Sequence, residues 1–312
     1  MKKSLKFVLT FLILTVALAA VAPLKAQQQN PSATVPVRMV VTVLGRNYSS
    51  PPTVSRDDVR VFEGKEQLTV SEWTPARGPQ GSLDFAVMID ENTNTNLGLQ
   101  LADIGDFIKE LPSTARAGVF YASNATAQVA SDFTADHAAA AKALRLPLGN
   151  VGAYSSIYLS LMDLIKRWPA ASNRREMLVV SDGIDRFRGD PFSPDVQSTV
   201  EQAQKAGIMI HTIYATGVGR FSRNLFRLNY GQSNLAQIAD ETGGEAFFQG
   251  TYTPIDYMPY LKNLQMVLNN QYLLTFLAKP GKKAELKKFR VRTELKDAEI
   301  SAADAALVPA AE

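Results

Sequence analysis

Apolar and polar positions follow two different regimes along this 312-residue chain. Near the amino end they alternate: Val37, Met39, Val41 and Val43 oppose Arg38 and Thr42, with Val40 breaking the polar side. Period-two alternation marks a half-buried strand. Asp58–Glu63 and Leu68–Trp73 are two more strand-like runs, joined by the turn Gly64-Lys65-Glu66. A Pro51-Pro52 loop separates the first run from the second. The pattern predicts a small antiparallel β unit over 37–79, ended by the breaker cluster Arg77-Gly78-Pro79-Gln80-Gly81.

From Ser82 onward the apolar runs become continuous. LDFAVMI (83–89), MLVV (177–180) and IMIHTIY (208–214) read as strands buried on both faces, and 117–121 and 245–249 as shorter ones. Helical spacing separates them. Leu97, Leu101, Ile104, Ile108 and Leu111 form one stripe, and Ile157, Leu161, Ile165 and Trp168 another, stopped by Pro169. Further helices are predicted over 134–146, 194–206, 232–242 and 256–270, with Pro194 opening one and Gly207 closing it. Alternating strands and helices over 80–270 predict an α/β fold: a doubly wound, mostly parallel sheet with helices on both faces.

The pattern changes again at the carboxyl end. QYLLTFLA (271–278) and KFRVRTE (288–294) are strands around the loop Lys279-Pro280-Gly281-Lys282-Lys283, predicting a β-hairpin over 271–300. A lone hairpin is marginal in water. It is therefore expected to pack on the N-terminal β unit, giving a small β-sandwich from the two terminal segments with the α/β domain inserted between them. Residues 301–312, alanine-rich and short of apolar bulk, are expected to fray.

The amino terminus reads as an export signal. Lys2, Lys3 and Lys6 precede the apolar run 7–22, and a polar stretch begins at Gln27, so residues 1–26 match a cleavable signal peptide. Residues 27–36 then form a flexible leader. Removing 1–26 takes four lysines and no acids, leaving 29 basic against 30 acidic side chains and a net charge of −1. That balance gives no basic footprint for nucleic acid. No later segment is long and apolar enough to span a membrane, so a periplasmic or secreted protein is expected. The chain has no cysteine and only His137 and His211, which excludes disulfides, thiolate metal sites, cysteine nucleophiles and three-histidine zinc centres.

In an open α/β sheet, ligands gather at the carboxyl ends of the strands near the switch in strand order. There the sequence places Asp90-Glu91-Asn92-Thr93-Asn94, Ser181-Asp182-Gly183-Ile184-Asp185, and the 149–156 segment with Ser155. Oxygen-bearing side chains from three loops converging on one rim are what a hard cation requires.

Other signals are weaker. Thr95 and Leu101 occupy the glycine and acid positions of a calcium loop, so that pattern fails. Thr216-Gly217-Val218-Gly219 lacks the third glycine of a dinucleotide site. Ser155, Asp182 and His211 follow hydrolase order, but Ala153-Tyr154-Ser155-Ser156-Ile157 is no nucleophile elbow, and His211 reads as a hydrogen-bonded core residue. Arg188-Gly189-Asp190 is too short to separate from chance. Phe187, Phe192, Phe221 and Phe226 lie among Arg186, Arg188, Arg220, Arg223 and Arg227, residue types common at interfaces, which makes the 215–232 loop a candidate contact surface.

The chain resembles the von Willebrand factor type A (VWA) family, and within it the secreted bacterial VWFA-related proteins. The resemblance covers most of the mature chain. It is carried by DDVRVFEGKEQLTVSEW (57–73), LDFAVMIDENTN (83–94), MLVVSDGID (177–185), LAQIADETGGEAFF (235–248) and QYLLTFLAKPG (271–281). It implies a metal-ion-dependent adhesion site, in which a cation completes its coordination with an acidic group of a protein partner. Asp90 matches the first aspartate of that motif, Ser155 most nearly its threonine, and Asp182 its last aspartate. Asn92 and Asn94 replace the two motif serines. An asparagine carbonyl reaches one atom further than a serine hydroxyl, which Mg2+ tolerates poorly and Ca2+ better. In the alternative the rim is metal-free and the asparagines are loop and cap residues. The resemblance implies an exported, non-enzymatic protein-binding module, with a structural subunit of the bacterial envelope carrying a vestigial site as the second reading.

Overall fold

A computed structural model describes residues 34–149, 155–170, 174–189, 193–247 and 250–311. The expected signal peptide and residues 27–33 of the leader lie outside the described residues. Pro36, expected in that leader, is already in a strand.

The α/β part contains six strands: β4 (Leu83–Asp90), β5 (Ala115–Ser123), β6 (Thr126–Thr134), β7 (Arg174–Ser181), β8 (Ile208–Tyr214) and β9 (Ala246–Phe247). They lie in the order β6-β5-β4-β7-β8-β9. Only β6 runs antiparallel to its neighbour. Every residue of β4 is buried. Leu83, Phe85, Val87 and Ile89 enter one core with helices α1 (Leu101–Lys109), α2 (His137–Lys142) and α6 (Met258–Asn269). Ala86 and Met88 enter another, with α3 (Ile157–Arg167), α4 (Pro194–Ala206) and α5 (Leu225–Thr242). Pleating sends successive side chains to opposite faces, so a strand apolar throughout needs a helical layer on each side. That is a mixed α/β sheet covered on both faces.

Helix ends follow their capping chemistry. Ser193 accepts the N–H of Asp195 just before Pro194, and Gly207 closes α4 at φ 63°, a left-handed conformation that costs glycine little. Helix α5 starts at Leu225, seven residues ahead of the sequence expectation, because Asn224 Oδ1 accepts the Arg227 N–H at 3.2 Å. The expected 134–146 helix shrinks to α2, since strand β6 takes residues up to Thr134.

The terminal segments differ most from expectation. Strands β1 (Val35–Gly45), β2 (Val59–Glu63), β3 (Glu66–Pro75), β10 (Gln271–Ala278), β12 (Arg290–Thr293) and β13 (Ala298–Ala302) form one antiparallel sheet in the order β12-β2-β3-β10-β1-β13. Strands β11 (Glu285–Lys288) and β14 (Ala305–Val308) pair separately as a two-stranded ribbon. Thus β1 does not pair with β2 or β3, and the expected 271–300 hairpin is absent: β10 inserts between β1 and β3, while β12 pairs with β2. The reason is burial. Phe276 and Leu274 of β10 share a core with Val37, Val41 and Val43, which a free hairpin would leave wet. The 301–312 segment, expected to fray, supplies β14, whose Ala306 and Val308 are buried in the same core. The two terminal segments thus pair with one another in one broad sheet, with β11 and β14 as a ribbon beside it.

Candidate functional site

The strand order reverses between β4 and β7, so their carboxyl ends flank the crevice that such a sheet opens to ligands. Backbone bonds gather the loops there. Asn94 N–H donates to Thr216 O at 2.8 Å, Val218 N–H to Asn92 O at 2.8 Å, and Arg186 N–H to Ser155 O at 3.1 Å. Four separated stretches of sequence are thereby held in two pairs at one edge.

Four of the five candidate residues come together. Asp90 Oδ1 accepts the Asn92 backbone N–H at 2.9 Å and the Asn92 Nδ2 at 2.7 Å, while its Oδ2 accepts the Ser181 hydroxyl at 2.7 Å. The Asn92 amide also donates to Ser155 Oγ. Its orientation is fixed by charge, since the opposite rotamer would set a carbonyl oxygen against the Asp90 carboxylate. Asp182 lies beside this group, and its charge adds to burial in pushing the Asp90 carboxyl above its usual range, against the opposing pull of Arg186. Asn94 does something else. Its Oδ1 accepts the Asn96 N–H at 2.9 Å and caps the short 3-10 helix 95–99.

The residue that dominates the site is Arg186, which the sequence alone does not distinguish from the other loop arginines. Its Nη1 and Nη2 grip Asp182 Oδ1 and Oδ2 at 3.0 and 2.5 Å, and Nη2 also donates to Ser222 Oγ at 2.9 Å. Ser222 lies 3.0 Å from Asp182 Oδ2, and Ile184 N–H donates to Oδ1 at 3.0 Å. Such a two-point fork is the strongest geometry available to a guanidinium and carboxylate. Burial disfavours the Arg186 charge, but Asp182 and Asp90 outweigh it and raise its pKa. Gly217 makes the space: a Cβ there would overlap Asp182 Oδ2 and stand 2.5 Å from Arg186 Nη2. An arginine four residues after a strand-end aspartate, with glycine in the facing loop, is the signal that sequence reading missed.

These side chains do not face solvent. Asp90, Asn92 and Asp182 are each 2% exposed and Ser155 5%. The expectation that the rim residues themselves meet a partner is thereby corrected, because the loops stitched over them close the crevice. The donor set also does not fit Mg2+ or Ca2+. Asp182 already accepts four hydrogen bonds, Asn92 turns its amino group toward Asp90 and Ser155, and a guanidinium occupies the anionic pocket. Among the described residues, no group of three or more His, Asp or Glu side chains is placed to hold a metal.

Around this closed centre exposed apolar side chains stand among polar ones. Of the ten large hydrophobic side chains most exposed among the described residues, eight lie on loops or helix starts beyond the strand ends: Leu99, Leu146, Leu148, Phe187, Leu225, Phe226, Tyr252 and Ile255. Phe226 packs edge-on against Tyr230 at 4.5 Å. Arg145, Arg188, Arg220 and Arg223 are exposed in the same segments. Of the interface residues expected from sequence, Phe187 and Phe226 are therefore in place, Arg186 is turned inward, and Phe192 lies outside the described residues.

His211 sits elsewhere. It is fully buried in β8, its Nε2 is 3.0 Å from Glu176 Oε2, and its Nδ1 accepts the Glu245 N–H at 3.1 Å, which leaves Nε2 as the donor. It makes no triad with Ser155 and Asp182.

No protein-family profile matches this chain, and no curated protein does. Among solved structures it is similar to an aerotolerance-related membrane protein from Bacteroides fragilis NCTC 9343 carrying multiple mutations to serines, at 13% identity and TM-score 0.46, over 60% of this chain and 99% of that one. It is also similar to the conserved hypothetical protein BatB from Bacteroides thetaiotaomicron, at 14% identity and TM-score 0.41, over 60% and 97% of the two chains. The SpRpn10 VWA domain matches at 15% identity and TM-score 0.36, over 60% and 94%. The α/β assignment rests on the strand order and burial above. No described helix is long and apolar enough to cross a membrane.

Proposed function

We propose that this protein is an exported, non-enzymatic protein-binding module of VWA-like architecture that engages its partner through the exposed collar of the rim. The observation that carries this reading is the grouping of eight exposed apolar side chains around one edge of the sheet, where aromatic and arginine residues are interspersed. Single exposed hydrophobics are ordinary, but so many in the loops at one end of the sheet favour a contact surface. Arg145 and Arg188 are already paired with Glu91 and Asp195, so the collar favours a partner segment with apolar anchors. Export rests on the lysine-led apolar run at the amino end. The inward position of Ser155 and the Glu176-bound His211 support a role without catalysis.

The test is cross-linked capture from bacterial envelope extracts. The Leu225→Ser/Phe226→Ser double variant is expected to lose the protein that wild type captures. A Val129→Ser control, on exposed strand β6 away from the collar, is expected to keep it. Equal capture by both variants overturns the reading. A structural envelope subunit is the second reading, favoured by the burial of the rim carboxylates; its contacts lie on other faces, and the double variant would then bind as wild type does.

A further inference from the structure

We infer that the Arg186 guanidinium is the resident cation of this rim, supplying to Asp90 and Asp182 the positive charge that the resemblance assigns to a divalent ion. The claim does not depend on what the collar binds. Two carboxylates buried to 2% exposure side by side repel one another, and neither leaves water cheaply without a compensating charge. Arg186 is the cationic side chain bonded there. It is held from the same loop as Asp182, four residues on, so the charge is built into the chain and arrives with folding.

The surrounding bonds are those of a guanidinium pocket. A guanidinium pocket, like a metal pocket, presents lone pairs to its centre, and what marks this one is the two-point fork on Asp182. Here Ser222 Oγ accepts from Arg186 Nη2, Ile184 O accepts from Nη1 at 3.2 Å, and Asp182 meets the fork with both oxygens. Asn92 spends its amide hydrogens on Asp90 and Ser155, and its buried Oδ1 has no hydrogen-bond partner. Gly217 leaves room for the planar fork and for nothing at a Cβ. A divalent ion added beside Arg186 would leave the cluster with excess positive charge. The protein's stability is therefore indifferent to divalent cations, while its carboxylates keep a latent capacity for one once the arginine is removed.

The experiment compares heat unfolding of the full chain in EDTA and in millimolar Mg2+, Mn2+ or Ca2+, for wild type, Arg186→Ser and Arg186→Lys. Wild type is expected to unfold at one temperature in every condition, within about 1 °C. Arg186→Ser is expected to fall by about 10 °C in EDTA, as for a buried pair that loses one partner, and to regain about half of that with at least one divalent ion. Arg186→Lys keeps the charge without the fork, so it is expected to fall less and to gain nothing from the ions. Should Arg186→Ser not fold in EDTA, refolding in Mn2+ reads the same quantity, and recovery of a cooperative transition supports the inference. A wild-type transition raised by a divalent ion overturns it, as does an Arg186→Ser variant that no ion stabilises or refolds.

Discussion

Arg174, at the start of β7 in the α/β sheet, donates its guanidinium to the side-chain oxygen of Gln271, the first residue of β10 in the antiparallel sheet. The contact is buried and belongs to a larger network. Gln271 Nε2 and His211 Nε2 both donate to Glu176 Oε2, at 3.1 and 3.0 Å, and Arg174 Nη1 lies 3.3 Å from Glu176 Oε1. The two sheets are thus joined by charge as well as by packing.

Glu176→Gln is expected to destabilise the protein by about 3–5 kcal/mol, the usual cost of leaving one member of a buried charged network unmatched. Equilibrium denaturation in urea measures it. A change below about 1 kcal/mol would show that the network is nearly neutral for stability.

The same carboxylate gives a pH dependence of definite sign. Burial alone would raise its pKa, but the His211 hydrogen bond and the Arg174 charge outweigh burial and hold it below the ordinary glutamate value of 4.5. A depressed carboxylate contributes stability that is complete above its unfolded pKa and disappears as pH falls toward the folded value. Unfolding free energy is therefore expected to drop more steeply below pH about 4.5 in wild type than in Glu176→Gln. Parallel profiles would remove Glu176 from the acid response.

Gly217→Ala is expected to cost about 3 kcal/mol, because its methyl group must displace the Asp182–Arg186–Ser222 cluster. Thermal unfolding reads the loss. A variant as stable as wild type would mean that the cluster can shift without penalty.

Gly231 tests packing against propensity. It lies inside α5, where alanine is ordinarily better by about 1 kcal/mol. Here a Cβ would overlap the Asp182 carbonyl oxygen and stand 3.1 Å from the Gly183 carbonyl carbon. Gly231→Ala is expected to lose about 1–3 kcal/mol despite the gain in propensity. A stabilised variant would show that the helix and the Asp182 loop can separate.

How far the sequence foretold this depends on what each residue's neighbours supply. Strands β4, β7 and β8 were legible from their continuous apolar runs, which burial on both faces requires, even though Asp84, Glu176 and His211 interrupt them. Strand β6 was not: TAQVASDFT is mostly exposed, and its place comes from pairing with β5. Strand β14 contains two alanines, and its burial comes from the partners it meets. Asp90, Asn92, Ser155 and Asp182 were found because strand ends mark a crevice. Their closure was hidden, since it depends on Arg186 folding back on its own loop and on Gly217 leaving room for it.

Strand β1 lies near the amino end and pairs residue for residue with β10, Val35 opposite Ala278 and Thr42 opposite Gln271. A chain synthesised from its amino end therefore emerges with β1 unmatched until nearly every later residue has been made. The inserted α/β part can complete its own sheet first, and only then can the late strand slide between β1 and β3. Until that moment the early strands present open edges, so the slowest and most aggregation-prone stage of maturation is expected to be this final closure.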